Sequence, residues 1–552
     1  MKKLFFIVLT LTAAGGLLTL AETRSPKQDI SRNLDIFNAL YKELQTYYVD
    51  SIDAEKSITT AIAAMLDDID PYTEYIPYSD QEEFTSMTIS GEYAGVGSTI
   101  MERDGWVYFS GPMEGSPAAK AGVKAGDKIV MIDNDSTRGW PNAKVSQHLK
   151  GQAGTDVRVT VHRPYVEDSV ITMTITRSKI FQPSVPYYGV IEDNLGYIAL
   201  NQFIEKSPEE VKTALEALKK DKVKAYILDL RGNGGGLVES AVQILGYFLP
   251  KGTEVLRTRG RAVTNERVYK TTTKPIDTET PLVILVDGGT ASAAEIVSGA
   301  LQDLDRAVIV GNRSFGKGLV QSTRELPYDG LLKVTVSKYY IPSGRLIQAI
   351  DYSHRNPDGS VGRIPDSLTT VFHTAAGREV RDGGGITPDL KVEYPEVNRL
   401  TFNIVRNNWA FDYATKYAAA HPTIPEPGDF VIDDVIFEDF KDFIDPDTFQ
   451  YDKVCEDGLK ALREVAEREG YMNDSTEAAF SRLEALMKHD LNHDLDLSRS
   501  LIEPYLAGEI VGRYYYNRGE IQQQLKNDAA IDSVVKLLTT PGEYRRLLTP
   551  KK

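Results

Sequence analysis

The stretch that decides the fold is residues 282–296, which read LVILVDGGTASAAEI. The first five residues are apolar and predict a buried strand, and the glycine-containing segment after them predicts a loop. From Ala293 onward, apolar residues recur at spacings of three and four, which predicts a helix. A strand, a loop and a helix in this order are typical of an α/β sheet, which presents functional groups where its strands end. Ser292 lies at such a position.

A second functional side chain follows the next predicted strand. The apolar stretch 307–310 precedes a glycine-flanked lysine, Lys317, which lies 25 residues after Ser292 (317 − 292 = 25). A serine needs a base before it can attack a carbonyl, and histidine is the usual base. None of the seven histidines lies within residues 163–353. If Ser292 is a nucleophile, Lys317 is therefore the simplest candidate for its base.

Both residues also have other interpretations. A serine before a helix is most often an N-cap, although the N–H of Ala293 at the helix start would suit an oxyanion hole. Residues 311–318 nearly match a P-loop, G-x-x-x-x-G-K-[ST]. Two details disfavour nucleotide binding: Gly318 replaces the hydroxyl residue that binds Mg²⁺, and residues 319–323 read as a strand where a P-loop requires a helix.

A glycine-rich loop follows another buried strand, predicted at 225–230. It reads Arg231-Gly232-Asn233-Gly234-Gly235-Gly236. Glycine lets backbone N–H groups face a ligand, so the loop could be a phosphate cradle or an oxyanion hole built from the Gly235 or Gly236 amide. It could also be a tight turn that only packing requires. The loop alone leaves these alternatives open. Strands and helices alternate over 187–394, which we predict to be an α/β core.

Residues 91–179 differ in sequence pattern from the regions before and after them, because glycines punctuate short β-type stretches. The blocks Gly115–Ala119, Ala121–Val123 and Gly126–Ile132 resemble those of a PDZ domain. Such domains bind an extended peptide by adding it as a strand to a sheet edge. The resemblance implies that Gly95-Val96-Gly97 is the loop whose backbone N–H groups receive a substrate's C-terminal carboxylate. The other interpretation is a plain β-hairpin with a glycine bend.

The remaining regions are predicted to be helical. Residues 29–90 show helical spacing and suit a packing or dimerisation arm, which allows a homodimer or a higher oligomer. Residues 395–552 carry charged amphipathic helices. Within them, His489 and His493 stand four apart beside two aspartates and could bind a metal. A solvated helix end is the favoured interpretation, because no third ligand converges on the pair.

Composition narrows the function class. The net charge of −16 argues against a nucleic-acid binder, and the single cysteine, Cys455, excludes an internal disulfide and a cysteine-based metal cluster. A length of 552 residues requires several domains. Residues 1–21 combine two lysines with an apolar run and predict either a cleaved signal peptide or a retained membrane anchor. Either way we expect export to the bacterial periplasm.

Six blocks, which occur in order, carry a family resemblance. They are Tyr93–Gly97, Asp229–Gly236, Thr290–Ile296, Gly316–Gln321, Tyr340–Arg345 and Ile386–Asp389. Together they make residues 30–394 resemble the carboxy-terminal processing peptidases, or tail-specific proteases. These are Ser-Lys serine peptidases with an inserted PDZ domain, and the spacing between Ser292 and Lys317 also matches them.

The resemblance implies a role for each matched residue. Ser292 would be the nucleophile, Lys317 the base and Gln321 the residue that orients the lysine. Gln321 lies four residues after Lys317 in a stretch that reads as a strand, and residues four apart on a strand share a face, which predicts that the two side chains are neighbours. A lysine base must be neutral, so burial has to lower its pKa from an ordinary value of about 10.4. The implied reaction is endopeptidase cleavage of exported proteins at or near their C-terminal tails. It uses substrates with free C-termini and needs no metal or other cofactor.

The resemblance also implies an oxyanion hole formed by the amides of Ala293 and of Gly235 or Gly236. The chain departs from the family in two respects. Threonine and alanine stand at 290 and 294, where members often have serine, and neither changes the mechanism. A long segment, 349–385, separates two family blocks, and we predict a surface insertion there. The non-enzymatic alternative is a PDZ scaffold on a degenerate protease core.

Overall fold

The structure is a computed structural model that describes residues 26–261, 266–356, 358–451 and 453–550. The predicted targeting segment at 1–21 lies outside these residues. The described residues divide into two compact units, with the boundary between Tyr75 and Ile76. In the first unit, helices α1 (Pro26–Tyr47) and α2 (Ala54–Asp67) are followed by the start of strand β1 (Glu74–Ile76). Asp53 caps α2 by accepting the Lys56 N–H. None of the described helices is both long enough and apolar enough to cross a membrane.

The second unit begins with a short helix and a small β domain. Its elements are α3 (Gln81–Thr85), β2 (Glu92–Gly95), β3 (Ser98–Arg103), β4 (Trp106–Pro112), α4 (Pro117–Lys120), β5 (Lys128–Ile132), β6 (Asp135–Ser136), α5 (Asn142–Leu149), β7 (Asp156–His162), β8 (Val170–Thr176) and β9 (Ser178–Phe181). The main sheet has the order β3-β4-β5-β7-β8, and β6 pairs with β5. Strands β2 and β9 pair antiparallel, so the two ends of the domain meet. Alternate residues of β7 are fully buried, as expected for a sheet with one face on the core.

A mixed six-stranded sheet forms the centre of the unit. It is built from β10 (Tyr187–Ile191), β11 (Leu195–Ala199), β12 (Ala225–Asp229), β15 (Leu282–Val286), β16 (Val308–Gly311) and β23 (Leu390–Lys391), in that order. Only β10 runs antiparallel to its neighbour. Every residue of β11, β12, β15 and β16 is buried, because both faces of the sheet are covered.

One face of this sheet is covered by helices from the same region of the chain. These are α6 (Ser207–Lys220), α7 (Val238–Phe248) and α8 (Ala293–Asp303), which form a continuous apolar core with the sheet. A second sheet contains β13 (Glu254–Arg259), β14 (Arg267–Lys270), β17 (Leu319–Glu325) and β18 (Leu331–Tyr340). The predicted insertion at 349–385 forms two hairpins, β19 (Ile350–Arg355) with β20 (Val361–Arg363) and β21 (Val371–His373) with β22 (Glu379–Arg381).

The C-terminal region is mainly helical in its described residues. It comprises α9 (Arg399–Arg406), α10 (Trp409–Ala420), α11 (Asp434–Phe443), α12 (Val454–Arg468), α13 (Asp474–Met487), α14 (Leu491–Leu497), α15 (Arg499–Gln524), α16 (Ala529–Thr539) and α17 (Glu543–Leu547). Helices α9, α10, α11 and α15 enclose an aromatic core that includes Tyr413, Phe437 and Phe440.

The last two helices pack differently from the rest of this region. The apolar face of α16 is buried against the second face of the central sheet, where Ile531 and Val534 join strand residues such as Val283 and Val308 in one cluster. By packing, the end of the chain therefore belongs to the α/β core. The residues after the predicted boundary at 395 therefore contribute to two apolar cores, that of the C-terminal helices and that of the central sheet.

Candidate active site

Ser292 lies between β15 and α8 in an unusual backbone conformation. Its φ and ψ are +54° and −117°, whereas an N-cap residue is normally extended. A positive φ is costly for a residue with a side chain and persists only where the surroundings enforce it. The geometry therefore differs from that of an ordinary helix cap and suits a side chain held for function.

The loop that carries Ser292 is bonded to the glycine-rich loop. The Ala291 N–H donates to the Asn233 carbonyl (2.9 Å), and the Thr290 hydroxyl donates to the Leu230 carbonyl (2.8 Å). The Gly232 N–H donates to a carboxylate oxygen of Asp287 at 2.9 Å. Because both loops follow neighbouring parallel strands, these bonds fix the glycines against the serine.

Gly235 approaches Ser292, and Gly236 approaches the Phe203 backbone, so closely that a side chain would not fit at either position. A Cβ on Gly235 would lie 2.8 Å from the Ser292 Cβ and 2.8 Å from the Ala293 nitrogen. A Cβ on Gly236 would lie 2.1 Å from the Phe203 carbonyl oxygen. Both glycines also have positive φ, at +99° and +139°. Only glycine satisfies both the space and the backbone conformation.

The predicted oxyanion donors differ in their hydrogen bonds. The Gly235 N–H donates to the Asn233 side-chain oxygen at 2.8 Å, so it is already engaged. Within the described residues, the amides of Gly236 and Ala293 donate no hydrogen bond to the protein. The Ala293 amide is the first of its helix, where N–H groups lack intrahelical partners. Ala293 and Gly236 are therefore better placed as donors than Gly235.

Lys317 lies in the loop between β16 and β17, and its side chain is half-buried. A strand follows this loop, so the helix that a P-loop needs is replaced by β17. The backbone of the lysine is tied to the serine by Glu295, the third residue of α8. One oxygen of this carboxylate accepts the N–H groups of Ser292 (2.9 Å) and Lys317 (2.8 Å).

The other oxygen of Glu295 accepts the Gly316 N–H (2.7 Å) and the Ser314 hydroxyl (2.5 Å). Glu295 is fully buried, and this burial raises the pKa of its carboxyl group while the four donors oppose the rise. One carboxylate thus spans the segments that carry the predicted nucleophile and the predicted base.

Tyr339, on β18, makes a second link between the same segments. Its hydroxyl lies 3.1 Å from the Ser292 carbonyl oxygen and 2.8 Å from the Lys317 carbonyl oxygen. The side chain is buried, which raises the pKa of the hydroxyl well above its usual value and keeps it a donor. The prediction from the sequence did not include Glu295 or Tyr339. The S-x-x-E pattern of Ser292 and Glu295 was a usable signal for the first, because it is typical of a capping box.

Gln321 lies on β17, as the sequence predicted, but the geometric reason given for it was wrong. Lys317 precedes the strand, which begins at Leu319, and a bulge separates Val320 from Gln321. Residues four apart share a face only within a regular strand. The Gln321 amide nitrogen donates to the Thr335 hydroxyl at 3.1 Å, which leaves the side-chain oxygen as the group that can accept from an amine.

The PDZ loop, Gly95-Val96-Gly97, connects β2 to β3. Its carbonyl groups are bonded inward: Val96 accepts the Ala118 N–H (2.8 Å) and Gly97 accepts the Met113 N–H (2.9 Å). Gly97 has a φ of +75°, and a Cβ there would lie 2.5 Å from the Ser116 Cβ. In the part of the chain that the structure describes, the N–H groups of Val96 and Gly97 have no acceptor. They are therefore available to a ligand.

The histidine pair in the C-terminal region forms part of a helix end. His489 Nδ1 lies 2.7 Å from an Asp494 oxygen that also accepts the Tyr451 hydroxyl at 2.6 Å. Asp490 caps α14 by accepting the His493 N–H. No group of three or more metal-ligating side chains was found among the described residues. The two histidines are thus used by local hydrogen bonds and a helix cap.

Comparison with known proteins identifies the family. Residues 194–359 match peptidase family S41, residues 108–163 match the PDZ domain, and residues 400–538 match the probable PDZ-protease C-terminal helical domain. The carboxy-terminal-processing protease of Bartonella bacilliformis is 35% identical over 355 residues, covering 63% of this chain and 81% of that protein. The carboxy-terminal processing protease CtpA of Bacillus subtilis is 34% identical over 356 residues, covering 62% and 74%.

Among solved structures, the photosystem II D1 C-terminal processing protease is 29% identical, with a TM-score of 0.35, and the match covers 64% of this chain and 86% of that one. The chain belongs to the carboxy-terminal processing proteases of peptidase family S41, which are serine peptidases. The predicted family, the α/β fold with its PDZ and helical C-terminal domains, and the enzyme class are confirmed. The roles of individual residues stay predictions.

Proposed function

We propose that Ser292 is the nucleophile and Lys317 the general base of this protease. The observation that carries the proposal is the shared Glu295 carboxylate, which accepts the backbone N–H of both residues. The Tyr339 hydroxyl adds a second shared contact through their carbonyl groups. A nucleophile and its base must be held in one geometry, because small displacements cost rate.

The reaction follows from these roles. Neutral Lys317 accepts the hydroxyl proton as Ser292 attacks the scissile carbonyl. The amides of Ala293 and Gly236 stabilise the oxyanion of the tetrahedral intermediate. Protonated Lys317 then gives its proton to the leaving amine, which departs and leaves an acyl-enzyme. Water attacks this ester with Lys317 again as base, and Ser292 recovers its proton.

Gln321 is proposed to orient the lysine. Its side-chain oxygen can accept a hydrogen bond from the Lys317 amine, while its nitrogen is held by Thr335. Gln321 neither gives nor takes a proton in the reaction. Its loss should therefore cost less than the loss of Lys317.

The PDZ domain is proposed to select substrates by their free C-terminus. The N–H groups of Val96 and Gly97, which have no acceptor among the described residues, would receive the terminal carboxylate. The preceding residues of the substrate would pair with β3 as an added strand. The enzyme would thus hold a tail with one domain and cleave the chain with another.

We further propose export to the bacterial periplasm, as soluble protein or anchored to the inner membrane by the N-terminal segment. The lysines and apolar run of residues 1–21 support this proposal. Cell fractionation tests it: recovery in the periplasmic or inner-membrane fraction is expected, and recovery in the cytoplasm would contradict it.

Self-association is proposed through α1. Among the exposed apolar residues of this helix, Ile30, Leu34, Phe37 and Leu44 recur at intervals of 4, 3 and 7, which matches the seam of a coiled coil. The proposed occupant of this face is the same helix of a second copy. Sedimentation velocity should show a dimer or a higher oligomer, whereas a monomer at all concentrations would contradict the proposal.

Substitution of Ser292 tests the proposed reaction. We expect Ser292→Ala to lower cleavage of an internally quenched peptide by several orders of magnitude, because no other group replaces the nucleophile. Ser298→Ala is the matched control, since its hydroxyl lies in the same helix and donates only to backbone carbonyls. The control should cleave at close to the wild-type rate. A folded Ser292→Ala protein with wild-type turnover would refute the assignment.

A further inference from the structure

We propose that Asp528, at the start of α16, is a positioning residue for catalysis. It acts through Arg231, whose backbone leads into the glycine-rich loop beside Ser292. This inference rests on the proposed function, because it concerns the same oxyanion loop. It also makes the C-terminal helical region part of the catalytic apparatus, rather than an appendage to it.

The first observation is a partly buried group of three charges. One terminal nitrogen of Arg231 lies 2.6 Å from Asp229 and 2.6 Å from Asp528. The exposed fractions of the three side chains are 20%, 8% and 12%, respectively. Burial disfavours the charged guanidinium, but the two carboxylates outweigh it and raise the pKa of Arg231 above its ordinary value. The arginine is therefore charged and needs its partners.

The second observation is that Asp528 is itself held in place. One of its carboxylate oxygens caps α16 by accepting the Ala530 N–H at 2.8 Å, and the other pairs with Arg231. Behind the cap, the apolar face of α16 is buried against the central sheet. The carboxylate is thus fixed to the core by a helix and presented to the arginine.

The third observation concerns the loop itself. Four of the six residues from Arg231 to Gly236 are glycines and have no side chain to hold them in place. Besides its backbone hydrogen bonds, the loop is anchored by the side chains of its two other residues. Asn233 donates to the Leu200 carbonyl at 2.6 Å, and Arg231 is held by the two carboxylates.

The consequence is a chain of contacts from the C-terminal region to the nucleophile. Asp528 holds Arg231, Arg231 and Asn233 hold the glycine loop, and Gly235 lies against Ser292. Loosening the first link should displace the Gly236 amide relative to the oxyanion. Because the oxyanion exists only on the reaction path, this displacement should affect the chemical step more than substrate binding.

Asp528→Asn tests the inference. Asparagine caps a helix as well as aspartate, so the helix keeps its N-terminus while Arg231 loses a charged partner. We expect kcat for a quenched peptide to fall about tenfold with KM unchanged. The matched control is Asp433→Asn, which alters another helix-capping aspartate, that of α11, where the carboxylate accepts the Ile436 N–H. The control should keep the wild-type kcat.

A double-mutant cycle separates positioning from general stability. In an Arg231→Leu background, Asp528→Asn should lower kcat no further, because the partner through which it acts is gone. Wild-type kcat in Asp528→Asn would overturn the inference. The inference would also be overturned if the kcat of Asp528→Asn returned to the wild-type value on cooling far below the melting temperature of the variant. Ser292→Ala, assayed in parallel, distinguishes the two proposals. Continued cleavage by Ser292→Ala would refute the proposed reaction. An inactive Ser292→Ala protein together with a fully active Asp528→Asn protein would refute only the role of Asp528.

Discussion

The active-site junction, where Glu295 bonds to the segments of Ser292 and Lys317, differs from the PDZ loop in how its backbone groups are hydrogen-bonded. At the junction, the N–H groups of Ser292 and Lys317 are both bonded to the buried Glu295 carboxylate. In the PDZ loop, the carbonyls of Val96 and Gly97 are bonded inward, but their N–H groups have no acceptor among the described residues. In the proposed mechanism, the catalytic groups are thus fixed before substrate arrives, whereas the PDZ loop keeps its donors for a ligand. Changes at the junction should therefore lower kcat, and changes at the loop should raise KM.

The largest effect in this comparison should come from Glu295→Gln. Each carboxylate oxygen of Glu295 accepts two hydrogen bonds, and in glutamine one of these oxygens becomes an NH2 group, which is itself a donor. Whichever way the amide is oriented, the buried hydrogen bonds on that side are therefore lost. We expect kcat to fall about a hundredfold or more, with a smaller change in KM. Steady-state kinetics on the folded variant check this prediction.

Glu210→Gln is the matched control for Glu295→Gln. Glu210 accepts the Val185 N–H and the Ser184 hydroxyl in the same region of the chain, but it contacts neither Ser292 nor Lys317. If Glu210→Gln lowered kcat as much as Glu295→Gln does, the Glu295 contacts would have no special role in catalysis.

A smaller effect is expected at Gln321, which follows Lys317 by four residues and donates through its amide to Thr335. Gln321→Ala should lower kcat about tenfold and leave weak activity, because the base is less well oriented but still present. Thr335→Val is an informative companion, since it removes only the hydroxyl to which the glutamine donates. Wild-type kinetics in purified Gln321→Ala protein would mean that this residue is an ordinary strand glutamine.

The smallest effect should come from the substrate side of the comparison. Amidating the C-terminus of a cleaved peptide removes the charge that the PDZ loop would receive. KM should rise a few-fold, about 1 kcal/mol of binding free energy, while kcat stays unchanged. Paired kinetics on the free-acid and amidated peptides check this. Equal KM values would exclude recognition of the C-terminus by the loop.

The sequence predicted local features well because they depend on neighbouring residues. The strand at 282–286 has the predicted bounds, and the helix after Ser292 begins at Ala293, since apolar spacing alone specifies both. The positive φ of Ser292 was not predictable, because tertiary contacts enforce it against the residue's own preference. The same-face argument for Gln321 was wrong because the strand starts two residues after Lys317 and then bulges.

Contacts between residues far apart in the sequence could not be predicted either. Arg231 and Asp528 are far apart in sequence, and no periodic pattern relates them. Amphipathic helices were predicted for residues 395–552, but amphipathic spacing such as that of α16 would serve equally against a neighbouring helix or against a sheet. Its burial on the central sheet emerges only from the three-dimensional structure.

The most direct test of the central claim is covalent labelling of the nucleophile. A fluorophosphonate, which reacts with activated serines, is added to the wild-type and Lys317→Arg proteins, and the adduct is mapped by peptide mass spectrometry. We predict one adduct, on Ser292, in the wild-type protein and none on the same timescale in Lys317→Arg, because arginine cannot act as a neutral base. An adduct on another residue, or equal labelling of Ser292 in Lys317→Arg, would contradict the account.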